Sequence, residues 1–187
     1  ETHHTQSPFH QARMVPHNTK KTVFDCWNGY HSVPLHPDDC HLTTFITPWG
    51  RYRYNTAPQG YIASGDGYSR RFDEIVSHIP NKTKCVDDSL LWADNHTESF
   101  FNAIEWLDIC GRHGITLNPD KFIFSQDVVT FAGFEITNES VRPCQKYLDA
   151  IQKLPVPQNL TDIRSWFGLV NQVSYAFASA DLMLPFR

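Results

Sequence analysis

Two hydrophobic periods alternate along the chain, and the switches between them mark its elements. Thr22 to Trp27 (TVFDCW) is a short apolar run broken by a carboxylate, the pattern of a buried strand. Leu42 to Thr47 and Arg51 to Thr56 are β-type runs, and Pro48-Trp49-Gly50 between them reads as a turn. From 64 to 79 the period becomes helical, with Tyr68, Phe72, Ile75 and Val76 on one face. The stretch KTKCVDDSLLWAD (82–94) places apolar and β-branched residues on both sides of an acidic pair, so it predicts two short strands with Asp87 and Asp88 at or near their turn. Thr97 to His113 is the clearest helix: Thr97 suits the N-cap, Phe100, Phe101, Ile104 and Leu107 recur at helical spacing, and Gly111 and Gly114 mark its end. Residues 122–124 and 128–136 read as a hairpin of strands. Two helices follow, at 145–153 and 161–174, separated by Pro155 and Pro157, with Thr161 as N-cap of the second. Near the start, Ser7 and Pro8 supply the cap and first position of a short helix. Helices interleaved with mainly antiparallel pairs predict an α+β fold, an antiparallel sheet with helices packed on one face.

Composition narrows the class. A chain of 187 residues suits one compact domain or a domain with a small appendage, and 41% hydrophobic with 13% aromatic residues is enough for a core. A charged fraction of 19% is too low for a disordered chain. The net charge of −4 argues mildly against nucleic-acid binding, although a local basic surface fits within a negative total. Five scattered cysteines with no CxxC pair indicate reduced thiols in an intracellular protein, not a disulfide framework or a zinc site. The ten histidines lack helical ligand spacing. No apolar stretch approaches the roughly 18 residues of a membrane span, so no membrane partner is expected. A first residue other than Met suggests an excised segment.

Asp is a common turn residue, so an ordinary polar hairpin explains Asp87 and Asp88 well enough. A second explanation needs Asp25, which lies in another predicted strand. If the strands are neighbours, three carboxylates meet at one sheet edge, and such a cluster is unfavourable unless cations neutralise it. Hard oxygen ligands select Mg²⁺ or Mn²⁺, and two such ions about 3.5–4 Å apart form a clamp for phosphoryl or nucleotidyl transfer. Spacing alone leaves both explanations open.

The order of several longer motifs carries a resemblance. VFDCWNGYHSVPLHPDDCHLTTFITPWGRYRY, APQGYIAS, CVDDSLLWAD and GITLNPDKFIFSQDVVTFAGFEI follow one another as in retroelement reverse transcriptases, most closely those in Pol polyproteins of gypsy-type LTR retrotransposons. PVPQNLTDIRSWFGLVNQVSYAF looks like the segment after the palm in that group. The resemblance implies a right-hand polymerase palm with partial fingers. It divides the chain into an N-terminal segment (1–21), the palm with partial fingers (22–140) and a helical segment leading toward the thumb (141–187). It implies an RNA-directed DNA polymerase with two Mg²⁺ or Mn²⁺ ions, in which Asp25 and Asp87 are the main metal-binding aspartates and Asp88 the third. The Cys26 carbonyl adds a further metal oxygen. Tyr30 resembles the aromatic beneath the sugar of the incoming nucleotide, disfavouring a 2′-hydroxyl. Gln59 and Gly60, in the PQG turn, meet the nucleotide and nearby template. Cys85, Val86, Ala132 and Gly133 match positions at the primer end.

The implied partners are an RNA or DNA template with primer, a dNTP, and the rest of a Pol polyprotein (fingers, thumb, RNase H). The implied location is intracellular, in the cytoplasm or a virus-like particle. Cys85 departs from the family's usual aromatic, and Asp66 stands where small apolar residues or proline are more common. The alternative is a catalytically inactive, retroelement-derived binding or structural module that keeps the palm fold. Arg51 and Arg53 alternate on one strand, where they suit phosphate contacts but more readily read as solvated edge charges.

Overall fold

A computed structural model of the chain describes residues 6–173. Its elements, in order, are α1 (Pro8–Arg13), β1 (Lys20–Asp25), β2 (Phe45–Thr47), β3 (Gly50–Tyr52), α2 (Ile62–Ile75), β4 (Lys82–Cys85) and β5 (Asp88–Ala93). Then come α3 (His96–Arg112), β6 (Ile123–Gln126), β7 (Val129–Phe131), β8 (Phe134–Ile136), β9 (Val141–Pro143), α4 (Gln145–Gln152) and α5 (Leu160–Val173). Short 3₁₀ turns occupy Gly29–Ser32, Cys40–Thr43 and Pro119–Lys121. Residue 174, the last position of the expected final helix, and the chain beyond it lie outside the described residues.

The central sheet runs β4-β5-β1-β6, with β1 and β5 antiparallel in the middle. Both inner strands are buried on two faces, which is why TVF and LLW read as unbroken apolar runs. Side chains of a strand alternate between faces, so neighbours in sequence enter different cores. Phe24 and Leu91 join Tyr68, Phe72 and Val76 of the α2 region and Trp106 of α3 in one cluster. Val23 and Leu90 join Ala12 and Val15 with Val129, Phe131, Phe134 and Ile136 in the other. The two long helices thus pack on one face, as expected. The second face, which the sequence reading leaves open, is covered by α1 and a three-stranded sheet, β7-β8-β9. At its margin Lys21, fully buried, donates to the carbonyls of Thr19 (2.8 Å) and Asp127 (2.9 Å) and to Asn138 Oδ1 (2.9 Å), tying β1 to two turns.

Four expectations change in detail. Residues 122–124 and 128–136 do not pair with each other: β6 joins β1 in the central sheet, and the hairpin is β7–β8, extended by an unforeseen β9. The cap of α3 is Asn95, whose side chain accepts from the Glu98 amide at 2.9 Å, two residues before Thr97. Asn159 accepts from the Asp162 amide at 2.9 Å, so the cap of α5 likewise precedes Thr161. Most consequential, Phe100, Phe101, Ile104 and Leu107 face outward, each more than 40% exposed. The buried face of α3 is Ser99, Ala103, Trp106, Ile109 and Cys110. Small residues at 99 and 103 let the helix seat close to the sheet, and Trp106 fills the space between Phe24 (5.9 Å) and Phe72 (5.5 Å).

Candidate active site

The end of β1 meets the β4–β5 turn. Asp25 is the register partner of Asp88, and the Cys26 amide donates to the Asp87 carbonyl at 2.9 Å. The three aspartates therefore share one sheet edge although Asp25 is remote from the other two in sequence. On its other side, this end of β1 is pinned by the Asn118 amide donating to the Asp25 carbonyl (2.9 Å) and the Trp27 amide donating to the Thr116 carbonyl (2.8 Å). These bonds do not engage the Cys26 carbonyl.

Cys85 pairs with Asp88, leaving Val86 and Asp87 as a two-residue turn. Val86 has φ +53°, a conformation for which Gly is the usual residue and a β-branched side chain an outlier. Such strain, of order 1–3 kcal/mol, persists only where surrounding structure enforces it. The β7–β8 turn also reaches Asp88. Phe131 pairs with Phe134, and Ala132 and Gly133 between them both have positive φ, +48° and +86°. That is a tight I′-like turn rather than a bulge. The Ala132 backbone faces Asp88, and Ala132 and Cys85 both border the second core.

Burial, then the charge of Asp25, pushes the Asp87 carboxyl above the ordinary aspartate range, with Lys84 and Lys121 opposing. Asp88 is raised by the same two causes, and the Ala132 backbone works the other way. Asp87 Oδ1 is buried with no hydrogen-bond partner. Lys121 Nζ lies 2.8 Å from Asp25 Oδ2, and this contact holds the ammonium in its charged form above its usual pKa. Lys84, its side chain only 6% exposed, pairs with Asp73 at 3.3 Å and packs over Tyr68 and Phe72. Sequence reasoning passed over both lysines as partners of the acids. For Lys121 the available signal was its place in NPDK, after the loop that returns to Asp25.

Among the described residues no three His, Cys, Asp or Glu side chains stand close enough together to hold a metal ion in this conformation. The donor set nevertheless fits a hard divalent cation: all donors are carboxylate oxygens, one is buried without a partner, and another already attracts an ammonium. Asp25 and Asp87 would hold such ions, with Asp88 beside them.

Tyr30 stands one ring away, edge-on to buried Tyr68 at 5.6 Å. Gln59 and Gly60 are exposed in the turn before α2, Gly60 with φ +89°, and no contact joins them to the carboxylates among the described residues. Cys26 is buried, and burial raises its thiol to about 11.

The raised carboxyls give a pH signature. A carboxyl with a folded pKa above its unfolded value binds its proton more tightly when folded, so its contribution favours the fold at low pH and is lost as pH rises through the folded pKa. The stability gained by Asp88→Asn over the parent chain is therefore expected to be largest near pH ~7 and to shrink toward pH ~4.5. Thermal melts of both proteins across that range check this; a pH-independent difference would contradict the raised carboxyl.

The first 136 residues match the family described as "Reverse transcriptase (RNA-dependent DNA polymerase)". The chain is 28% identical over 155 residues to the Pro-Pol polyprotein of Feline foamy virus, covering 81% of this chain and 13% of that protein. It is 27% identical over 152 residues to the Retrovirus-related Pol polyprotein from transposon 412 of Drosophila melanogaster, covering 80% of this chain and 12% of that protein. The chain thus spans a small part of the relatives' length. The structure of a foamy viral protease-reverse transcriptase in complex with RNA/DNA hybrid superposes with a TM-score of 0.79 at 22% identity, over 91% of this chain and 23% of that one. The fold is shared across that span.

Proposed function

Because the chain belongs to the reverse transcriptase (RNA-dependent DNA polymerase) family, we propose that its acidic sheet edge serves RNA-directed DNA synthesis, moving a nucleotide from dNTP to a primer 3′-hydroxyl. The observation that carries this reading is the register of Asp25 with Asp88, with Asp87 bonded through its backbone to Cys26. Two Mg²⁺ or Mn²⁺ ions bound there would supply the charge that activates the primer oxygen and stabilises the departing pyrophosphate.

The chain's own residues position the reactants. Asp25 and Asp87 present carboxylate oxygens, with the Cys26 carbonyl beside them, and Asp88 lies toward the primer. Tyr30 supports the nucleotide sugar, and Gln59 and Gly60 meet the nucleotide from their exposed turn. Cys85, Val86, Ala132 and Gly133 flank the primer terminus from two facing turns. Lys121 offsets part of the repulsion among the three acids.

The proposed partners are primed RNA or DNA template, dNTP, and the remainder of a Pol polyprotein carrying fingers, thumb and RNase H. The proposed setting is intracellular, in the cytoplasm or a virus-like particle. Among the described residues no helix is long and apolar enough to cross a membrane. The proposed division is an entering segment (1–21), palm with partial fingers (22–140) and a helical segment toward the thumb (141–187). Placement among gypsy-type LTR retrotransposons rests on the wording of the motifs.

One observation favours the second reading, a binding module without turnover: Lys121 already neutralises Asp25. Primer extension on oligo(rA)–oligo(dT) with Mg²⁺ or Mn²⁺ decides between them. The chain is expected to incorporate dTMP, and Asp25→Asn to lose at least ~100-fold of that activity. Equal incorporation by both would remove the metal-site assignment; no incorporation by this chain, nor by a longer Pol polyprotein that carries it, supports the binding module.

A further inference from the structure

The outer stripe of α3 is larger than a monomer needs. Phe101 is 65% exposed and Phe100 52%, and their rings meet edge-on at 5.8 Å. Ile104 and Leu107 continue the stripe, and Leu107 also lines an apolar hollow of about 240 Å³ with Phe24, Leu117, Pro119 and Phe122. The patch thus runs off the helix onto the loop before β6. With ordinary side-chain areas, its exposed apolar surface comes to roughly 500 Å². That is at the upper end of what a monomer leaves uncovered.

The stripe has an internal symmetry that says what suits it. At 100° per residue, Phe100, Ile104, Leu107 and Gly111 fall within an arc of roughly 60° along the helix. Their spacing, four residues, then three, then four, reads the same from either end. A second copy of α3 turned end for end therefore meets the seam in register. Ile104 of one copy faces Leu107 of the other, and the large Phe100 faces Gly111, which is exposed with open space where a side chain would stand. Opposed helix dipoles favour the same arrangement.

Charge does not oppose it. The seam itself carries none, and the charges flanking it are paired within the chain, Arg112 with Asp108 at 2.7 Å and His78 with Glu105 at 3.9 Å. Homodimer interfaces are about 65% apolar, so roughly 500 Å² of apolar surface corresponds to nearly the ~800 Å² per subunit of a standard interface.

We propose that the outer face of α3 is a self-association surface, on which two copies of this chain pair their helices antiparallel about a two-fold axis between Ile104 and Leu107. This does not depend on the polymerase reading. Sedimentation equilibrium of the chain from about 1 to 100 µM is expected to show a monomer–dimer transition with a micromolar dissociation constant. Ile104→Glu, on a half-exposed helix position, should keep the parent's circular dichroism and raise that constant roughly 30-fold or more. Ile104→Glu combined with Leu107→Lys should recover much of the loss, because each new acid then faces the other copy's new lysine. Asp25→Asn should associate like the parent chain, which separates failure here from failure of the catalytic reading. A parent chain that stays monomeric throughout, or a dimer that Ile104→Glu leaves intact, overturns the proposal. A double variant no tighter than the single one overturns the antiparallel pairing.

Discussion

Asp87→Asn is expected to abolish primer extension and at the same time to make the chain more stable. The first effect follows from removing one of the two oxygens-bearing acids proposed to hold the ions. The second follows from the environment of Asp87. Its Oδ1 is buried with no hydrogen-bond partner, and burial and Asp25 both disfavour its charge. A neutral amide of the same shape escapes that repulsion. A gain of about 1 kcal/mol, or a melting temperature higher by roughly 2–4 °C for a chain of this size, is the expected scale. Opposed changes of this kind separate a functional acid from a structural one, whose removal would lower stability. Scanning calorimetry and the extension assay on the same preparation read both. A less stable variant, or one that still extends a primer, would falsify the role given to Asp87.

Gly29→Ala is expected to destabilise the molecule strongly. A β-carbon built at Gly29 would lie 2.4 Å from Tyr68 Cζ and 2.7 Å from its hydroxyl oxygen. Tyr68 has no room to retreat: it is 1% exposed and packed against Phe72 and Tyr30. Overpacking at such a position costs about 2–3 kcal/mol, a fall of roughly 5–10 °C in melting temperature. Because Tyr30 leans edge-on against the displaced ring, dNTP KM should rise as well. Shrinking the obstacle is the control. Gly29→Ala combined with Tyr68→Leu should be less destabilised than the sum of the two single changes, and strict additivity would show that the methyl and ring do not collide.

Much of this arrangement was legible in the residues, for reasons that differ from element to element. The β1 and β5 strands announced themselves because doubly buried strands leave continuous apolar runs, and Ser7-Pro8 capped α1 as its chemistry predicts. The acidic pair could be placed at a turn. Its meeting with Asp25 could not, because strand adjacency is a long-range choice that local pattern does not encode; it entered as an implication of family resemblance. The α3 face was misread for a physical reason. The helix carries two stripes at helical spacing, and periodicity favours the heavier one, Phe100-Phe101-Ile104-Leu107. Close seating favours the lighter one, with Ser99 and Ala103. Lys121 could be tied to Asp25 only through its place in NPDK, because an exposed lysine in a loop has no periodicity of its own.

The double-sided burial of β1 and β5 reaches further than packing. Each strand threads one residue into either core and carries an acid at the same rim, Asp25 closing β1 and Asp88 opening β5. A slip of one position would exchange Val23 with Phe24 and Leu90 with Leu91 between two differently shaped interiors, and would carry Asp25 about 3.4 Å past its partner. The alignment of the acids is thus inherited from hydrophobic shape, and mutational drift in those four aliphatic and aromatic positions is constrained by a chemistry that none of them touches.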